Sequence, residues 1–455
     1  MKRRLKIKLV EPSKYREDGK LFKVKQFICP PLTLPYLAAL VPDDVEVVIE
    51  SELFGEINYD EPVDLAAITV YTTLGMRAYE VADEFRRRNV PVVLGGIHAS
   101  MLPDEAQEHA DTVIVGEAEE TWPQFINDFR NGVHKKRYVT EHPPRLENLP
   151  VPRFSLLDQS HYISRGRRGV LRSTFLGSPW FPIQTARGCP YGCEYCAVTA
   201  FNGTRHRTRP ISDVIKEIET LKPKSCFFVD DDIFLAPRRA KELFRALIPL
   251  KIRWMGQGSI GAAKDIELLR LARASGCFAI LVGIESLSRR ELDSIGKKQN
   301  IIEEYETQIR NYRDAGIVIQ ANMMFGFGPE DPGVFDEATD FLLKNRVPLT
   351  KWWPVIPLPG TGLYARLQEE GRLKDGRWWL RPAGNSTLLD LEFTGIEMGE
   401  DVFKENYSRA YARFYTLKNI AKRLLLPPRK HWALGTFLNL LYKAKMTQTT
   451  TSIEA

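Results

Sequence analysis

The sequence predicts an α/β protein: a doubly wound, Rossmann-like domain at 1–145, a linker at 146–178, a partial (β/α)6 barrel at 179–380 and a helical, basic region at 381–455. Three observations carry this. Short β-branched runs alternate with helical spacing in the first 145 residues, and glycines close the runs. The rhythm breaks over 133–175, where His142-Pro143-Pro144, Leu149-Pro150-Val151-Pro152 and Arg165-Gly166-Arg167-Arg168 read as a linker. From Phe181 the alternation resumes with six further strand candidates. A chain of 455 residues, 44% of them hydrophobic, has material for two to four cores, which excludes disorder as its main character. No apolar run approaches the roughly 20 residues that cross a bilayer. Met1-Lys2-Arg3-Arg4 is basic, but Leu5–Val10 alternates like a strand rather than a signal-peptide core, so a cytoplasmic protein is expected.

In order, strands are expected at Leu5–Val10, Val45–Ile49, Leu65–Val70, Pro91–Leu94 and Thr112–Val115, with helices at Pro35–Leu40 and Met76–Arg88. Gly95-Gly96 and Gly116-Glu117 follow the last two strands, and ligands of doubly wound sheets lie beyond such carboxyl ends. The barrel strands are expected at Phe181–Thr185, Cys226–Asp230, Arg253–Gln257, Ala279–Gly283, Val318–Met324 and Trp352–Ile356. Helices at Ser212–Leu221, Arg238–Ile248 and Asp265–Ser275 lie between them, and the active site belongs at the strand C-termini.

Of six cysteines, Cys189, Cys193 and Cys196 fall within eight residues; Cys29, Cys226 and Cys277 are scattered and read as buried small apolar residues. A disulfide framework would be denser. The C-x3-C-x2-C spacing lets three thiolates take three irons of a four-iron cluster, leaving one iron open to a chelating substrate. Structural zinc would need a fourth ligand, and no His stands at the right spacing.

This motif, Arg187-Gly188-Cys189-Pro190-Tyr191-Gly192-Cys193-Glu194-Tyr195-Cys196, resembles the signature of the radical S-adenosylmethionine (SAM) enzymes, with aromatic Tyr195 before the last cysteine. The resemblance implies a [4Fe-4S] cluster on Cys189, Cys193 and Cys196 whose open iron chelates SAM. One-electron reduction then yields a 5′-deoxyadenosyl radical. It implies SAM contacts from Tyr195, from Asp230 and Asp232 of Val229-Asp230-Asp231-Asp232, from Gln257, from Glu285 and Ser286 of a GxES-like element, and from Phe325 before Gly326-Phe327-Gly328. Each has a structural alternative: a solvated acidic turn, a helix N-cap pair at 285–286, a plain turn at 325–328.

Val70-Tyr71-Thr72-Thr73, Val92–Ser100 and Val115–Glu119 resemble the cobalamin-binding domain found in one class of these enzymes. The resemblance implies cobalamin contacts from Thr72, Thr73, Leu74, Gly95, Gly96, His98, Gly116 and Glu117. The family's D-x-H-x-x-G element is absent: Glu11–Leu21 contains no His. Cobalamin is therefore expected base-off, without a His ligand, and His98 is expected beside the corrin or its tail. The alternatives are a degenerate Rossmann-like module or, lacking G-x-G-x-x-G, a still weaker dinucleotide site.

Between Lys404 and Lys445 stand ten basic residues against Glu405, interleaved with aromatics such as Tyr407, Tyr411, Trp432 and Phe437, while the whole chain carries only +6. Leu424–Pro428 is expected to split this segment into two helices. They form a membrane-surface element, a pair packed on the barrel or a nucleic-acid contact. Trp352, Trp353 and Tyr364 are candidate substrate walls.

The leading expectation is a cobalamin-dependent methyltransferase that alkylates an unactivated carbon of a small-molecule or lipid substrate through methylcobalamin. A flavodoxin- or ferredoxin-like electron donor, possible peripheral membrane contact and no nucleic-acid partner go with it. The alternatives are a non-methylating cyclase or ring-rearrangement enzyme of the same architecture and, in another class, a cobalamin or redox sensor.

Overall fold

A computed structural model describes residues 4–16, 18–162, 179–328, 330–381, 390–424 and 439–440. Six strands, β1 (Lys6–Glu11), β2 (Glu46–Ser51), β3 (Leu65–Thr69), β4 (Val92–Gly95), β5 (Thr112–Val115) and β6 (Arg137–Val139), form a parallel sheet in the order β2-β1-β3-β4-β5-β6. The order reverses between β1 and β3, which places the ligand crevice at their C-terminal ends. Strand periodicity supplies both faces. Ala66 and Ile68 pack under the helix Gly75–Arg87, whereas Leu65 and Ala67 face the helices Thr33–Ala39 and Ala118–Arg130. β6 was not expected; it is a three-residue edge strand inside the stretch read as irregular.

The second unit contains β7 (Trp180–Ile183), β8 (Ala186–Arg187), β9 (Arg207–Thr208), β10 (Ser225–Phe228), β11 (Arg253–Gly258), β12 (Cys277–Glu285), β13 (Val318–Phe325) and β14 (Leu349–Pro354). Six pair in parallel as β14-β13-β12-β11-β10-β7, each beside its neighbour in this series, the order of an open β/α barrel. β8 and β9 form a small antiparallel pair flanking the cysteine loop, also unexpected.

Alternation again sorts the residues. Phe228, Trp254, Ile280, Val282, Ile319, Ala321 and Trp352 bury against the helix layer. Gln257, Gln320, Asn322 and Lys351, at the opposite phase, are only half-buried, so the inner face carries polar groups. Trp180 and Phe278, at the strand starts, meet edge to face at 5.3 Å and close the N-terminal end.

After the barrel, helices Glu400–Phe414 and Leu417–Leu424 break at Tyr415-Thr416, earlier than expected. The expected break at Leu424–Pro428 runs into residues outside those described. Phe403, Ala410, Phe414 and Ile420 are buried. Tyr407 donates to the Trp352 carbonyl at 2.8 Å and Tyr415 to that of Thr350 at 2.7 Å. The basic face is used in the same way. Arg409 and Arg413 pair with Asp336 at 2.9 and 3.1 Å, and Lys404 with Asp390 at 2.8 Å. The described part is thus a helix pair packed on the barrel. Trp432, Phe437 and the basic residues from Arg429 onward lie outside the described residues. Among the described residues no helix is long and apolar enough to cross a membrane.

Candidate cofactor site at the domain boundary

The cysteine loop leaves β8 through Gly188, whose φ is +86°. A side-chain carbon there would stand 2.3 Å from the Arg205 carbonyl oxygen, so only glycine fits. Cys193 is buried, Cys189 and Cys196 are half-buried, and all three are free thiols; Cys196 precedes the helix Ala197–Asn202. Burial pushes the Cys189 thiol up to about 11, and Asp232, Cys193 and Cys196 add to it. A bound metal reverses such a penalty, because it takes the thiolate. Among the described residues no group of three His, Cys, Asp or Glu side chains converges on one ion position. In a four-iron cluster each thiolate takes a different iron, so the three sulfurs need not converge on one point.

Beside Cys193 lies a buried ion pair. Lys297 Nζ contacts Glu285 Oε1 at 2.9 Å, and the Tyr195 hydroxyl donates to the same oxygen at 3.2 Å. Burial opposes charge on Lys297, yet Glu285, Tyr195 and Cys193 hold its pKa well above the usual value. Glu285 itself has φ +66°, a left-handed conformation costly for a side chain of this type, at an irregularity in the β12–β13 pairing. Sequence reasoning found Glu285 and Tyr195 but missed Lys297, twelve residues on in a polar loop.

The other expected SAM contacts divide. Asp230 is fully engaged by the Thr185 hydroxyl and the amides of Thr185 and Ala186, so its carboxylate ties β10 to the turn after β7. Asp232 accepts from the Phe234 amide at 2.9 Å, beside the cluster loop. Asp231, passed over in the sequence, is the acid that reaches the interdomain cleft. It accepts from the Gly188 amide at 3.0 Å, and burial pushes it up to about 6.

Gln257 stands at the half-buried phase of β11. Ser286 is turned into the next helix, donating to Glu291 and accepting from the Ser288 amide, while the N-cap of that helix is Ser288 rather than either residue of the 285–286 pair. Phe325 packs on Phe335 and Trp352 at 4.5 and 4.9 Å in the outer core, not toward the site. Trp352 shares that core and is no substrate wall. Trp353 lies under Lys351 Nζ at 3.8 Å, and Tyr364 donates to the Gly376 carbonyl at 2.7 Å.

Between the domains opens a cleft of about 630 Å³. Thr72, Thr73, Gly95, Gly96, Gly116 and Glu117 line it from the first sheet; Ala197, Phe201, Asn202 and Asp231 line it from the cluster side. Leu74 and His98 do not line it. His98 has no exposed surface and sits 3.4 Å from Glu105, with Trp379 edge-on at 5.5 Å. Trp379 donates to Glu105 at 2.8 Å and Tyr79 at 3.0 Å. Burial works against ionisation of Glu105, but these bonds and His98 more than offset it and hold the carboxyl low. His98 therefore belongs to an interdomain packing knot rather than to the corrin face.

The cleft's acidic end is a buried charge network. Arg187 Nη1 contacts Glu117 at 2.5 Å and Glu119 at 2.6 Å; Arg207 also binds Glu117, and Tyr36 donates to Glu119 at 2.9 Å. Glu117 thus lines the cleft with its carboxylate committed to two arginines.

The cleft fits cobalamin in this form: it lies at the crevice of a doubly wound sheet, glycines bring backbone to its wall, and no His is among its lining residues. Comparison with known proteins agrees. Residues 21–126 match the B12 binding domain, and residues 183–342 the radical SAM superfamily. The bacteriochlorophyllide d C-8(2)-methyltransferase of Chlorobaculum tepidum is 29% identical over 88% of this chain and 88% of its own length. The C-12(1)-methyltransferase of the same organism is 28% identical over 92% and 89%. The solved structure of the radical SAM methyltransferase TsrM from Kitasatospora setae, with tryptophan and aza-SAM bound, superposes with TM-score 0.65 at 18% identity, covering 99% of this chain and all of that one. The chain thus carries a B12-binding domain followed by a radical SAM domain.

Proposed function

We propose that the chain transfers a methyl group to an unactivated carbon of a largely apolar small-molecule or lipid substrate. The observation that carries this is the single cleft walled by both the cobalamin-type crevice and the residues after the cysteine loop. When bound, the cluster and SAM supply a hydrogen-abstracting radical, and cobalamin supplies the methyl group. Methyl transfer is also the activity in the names of both relatives above.

The chain's own groups divide the work. Cys189, Cys193 and Cys196 hold the cluster. Tyr195, Lys297 and Glu285 present one cation and one anion beside it, matching the carboxylate and ammonium of a zwitterionic amino acid moiety. Asp232 and Gln257 extend that polar wall. Thr72, Thr73, Gly95, Gly96 and Gly116 form the corrin side.

A second cleft of about 460 Å³ shares Thr33, Thr69, Tyr71, Gln184 and Val229 with the first. Phe27, Leu53, Phe54, Pro182 and Phe227 make it apolar, and Glu11 is its carboxyl. Burial raises the pKa of Glu11, so it suits a hydroxyl or amide of an otherwise apolar substrate better than a cation. A flavodoxin- or ferredoxin-like protein serves as electron donor. Free thiols at Cys29, Cys226 and Cys277 suit the reducing cytoplasm. Peripheral membrane contact would fall to exposed Lys418 and Lys422 and the basic residues beyond Leu424, because Lys404, Arg409 and Arg413 are paired.

Anaerobic reconstitution with iron, sulfide and hydroxocobalamin tests the reading. The expected result is about four irons per chain, stoichiometric cobalamin, and 5′-deoxyadenosine on adding SAM and reductant. Cys193→Ala should abolish the last. Failure to retain cobalamin, or undiminished SAM cleavage by Cys193→Ala, refutes it.

A further inference from the structure

The loop 296–300 crosses the cysteine loop at close range. The Glu194 amide donates to the Ile295 carbonyl at 3.0 Å, and a side-chain carbon on Gly296 would stand 3.7 Å from the Gly192 oxygen. Buried Asn300 fixes the loop from below, donating to the carbonyls of Gly283 at 3.0 Å and Ile284 at 2.9 Å. From this rigid base Gln299 Nε2 donates to Cys193 Sγ at 3.8 Å. Cys193 is also the one cysteine of the three that is buried, so protein groups rather than water meet the charge on its sulfur.

Reduction adds negative charge to a cluster and to its thiolates. An N–H donor aimed at a ligating sulfur stabilises the reduced state more than the oxidised one and raises the potential. We propose that Gln299 is a positioning residue for the electron-transfer step: its amide holds Cys193 Sγ and sets the cluster potential within reach of a biological reductant. The inference rests on the cluster assignment above, so iron is counted before potential is measured. Missing iron counts against the assignment, an unmoved potential against Gln299.

The experiment is an anaerobic potentiometric titration of the full-length, cluster-loaded protein without SAM, followed by the electron paramagnetic resonance signal of the reduced cluster. Gln299→Leu removes the donor, Gln299→Glu replaces it by an acceptor, and Lys298→Met removes an exposed charge one residue away. A hydrogen bond of ordinary net strength predicts that the reduced-to-oxidised ratio at fixed potential falls about three- to tenfold in Gln299→Leu. Tenfold is 59 mV for one electron. Gln299→Glu should fall further, and Lys298→Met should match wild type. If Gln299→Leu holds less iron than wild type, Gln299→Met, which keeps the side-chain length, carries the same test. A potential unchanged in an iron-replete Gln299 variant, or moved equally in Lys298→Met, overturns the inference.

Discussion

Arg187 stands two residues before the first cluster cysteine, yet its side chain belongs to the other domain's carboxylates. It is 11% exposed, against 5% for Glu117 and 8% for Glu119, so the contacts are made largely out of water. Burial works against its charge, and Glu119 and then Glu117 more than restore it. Arg187→Met keeps the stem and removes the charge. Glu117 retains Arg207, but Glu119 is left with Tyr36 alone, and its Oε2 already lacks a partner.

Removing one partner of a buried ion pair costs about 3–5 kcal/mol, because the survivor stays buried and uncompensated. That is a large share of the roughly 5–15 kcal/mol that holds a domain folded. Urea unfolding of wild type, Arg187→Met and Arg187→Met/Glu119→Gln measures it, read at the midpoint with the slope checked for constancy. The single variant should lose about 3 kcal/mol or more, and the double variant should recover most of it, since the stranded charge is gone. A loss under about 1 kcal/mol, or a double variant no more stable than the single one, refutes the argument that the network is a desolvated interdomain clamp.

The position of His98 makes a second prediction. Electron paramagnetic resonance of the cob(II)alamin form should show no nitrogen superhyperfine splitting, and His98→Ala should leave the spectrum unchanged; splitting that disappears in the variant contradicts the packing role. Glu330 makes a third. Its Oε1 has no partner, Oε2 accepts from the Gly326 amide at 2.6 Å, and burial pushes the carboxyl up to about 8. A folded-state value above the unfolded one stabilises at low pH, so this contribution is whole below about pH 4 and is lost as pH rises through 8. Glu330→Gln should therefore flatten the stability profile across that window, with a gain at pH 9 on the order of 5 kcal/mol; equal slopes in both proteins would rule it out.

The periodic elements were legible because burial fixes their pattern. β3 is buried throughout and apolar up to Thr69, since helices cover both its faces, and the barrel strands announce their outer phase in Cys226, Phe228, Trp254 and Ile280. The cysteines were legible because ligand spacing is local. What escaped was set by contacts distant in sequence. β6 and the β8–β9 pair are too short to show a period. Among Asp230, Asp231 and Asp232, composition cannot say which faces the cleft; the turn after β7 decides it by claiming Asp230 for Thr185. Phe325 read as a site residue because it follows its expected strand, and Trp352 because it lies at the last one, yet strand phase turns both into the helix layer. That Arg409 and Arg413 are paired escaped the sequence because their partners, Asp336 and Asp340, lie some seventy residues upstream.

The same contacts explain how one chain can hold two cofactors in fixed relation. On one side of the cysteine loop, Arg187 is clamped to Glu117 and Glu119, which immediately follow the glycine at the end of β5. On the other side, Glu194 accepts through its carbonyl from the Leu363 amide at 3.0 Å and through its carboxylate from Arg366 at 2.8 and 2.9 Å. The chain then returns to the first domain, where Trp379 locks onto Glu105. A loop whose Arg187 end is clamped to residues that wall the cleft cannot shift at that end without breaking buried, charge-assisted bonds, and its far end is tied to the helix Gly362–Glu369. In a reaction that needs a radical and a methyl donor at adjacent positions, placement of the reacting groups supplies much of the rate. The fold meets that requirement with ion pairs between the domains, close to the cofactors themselves.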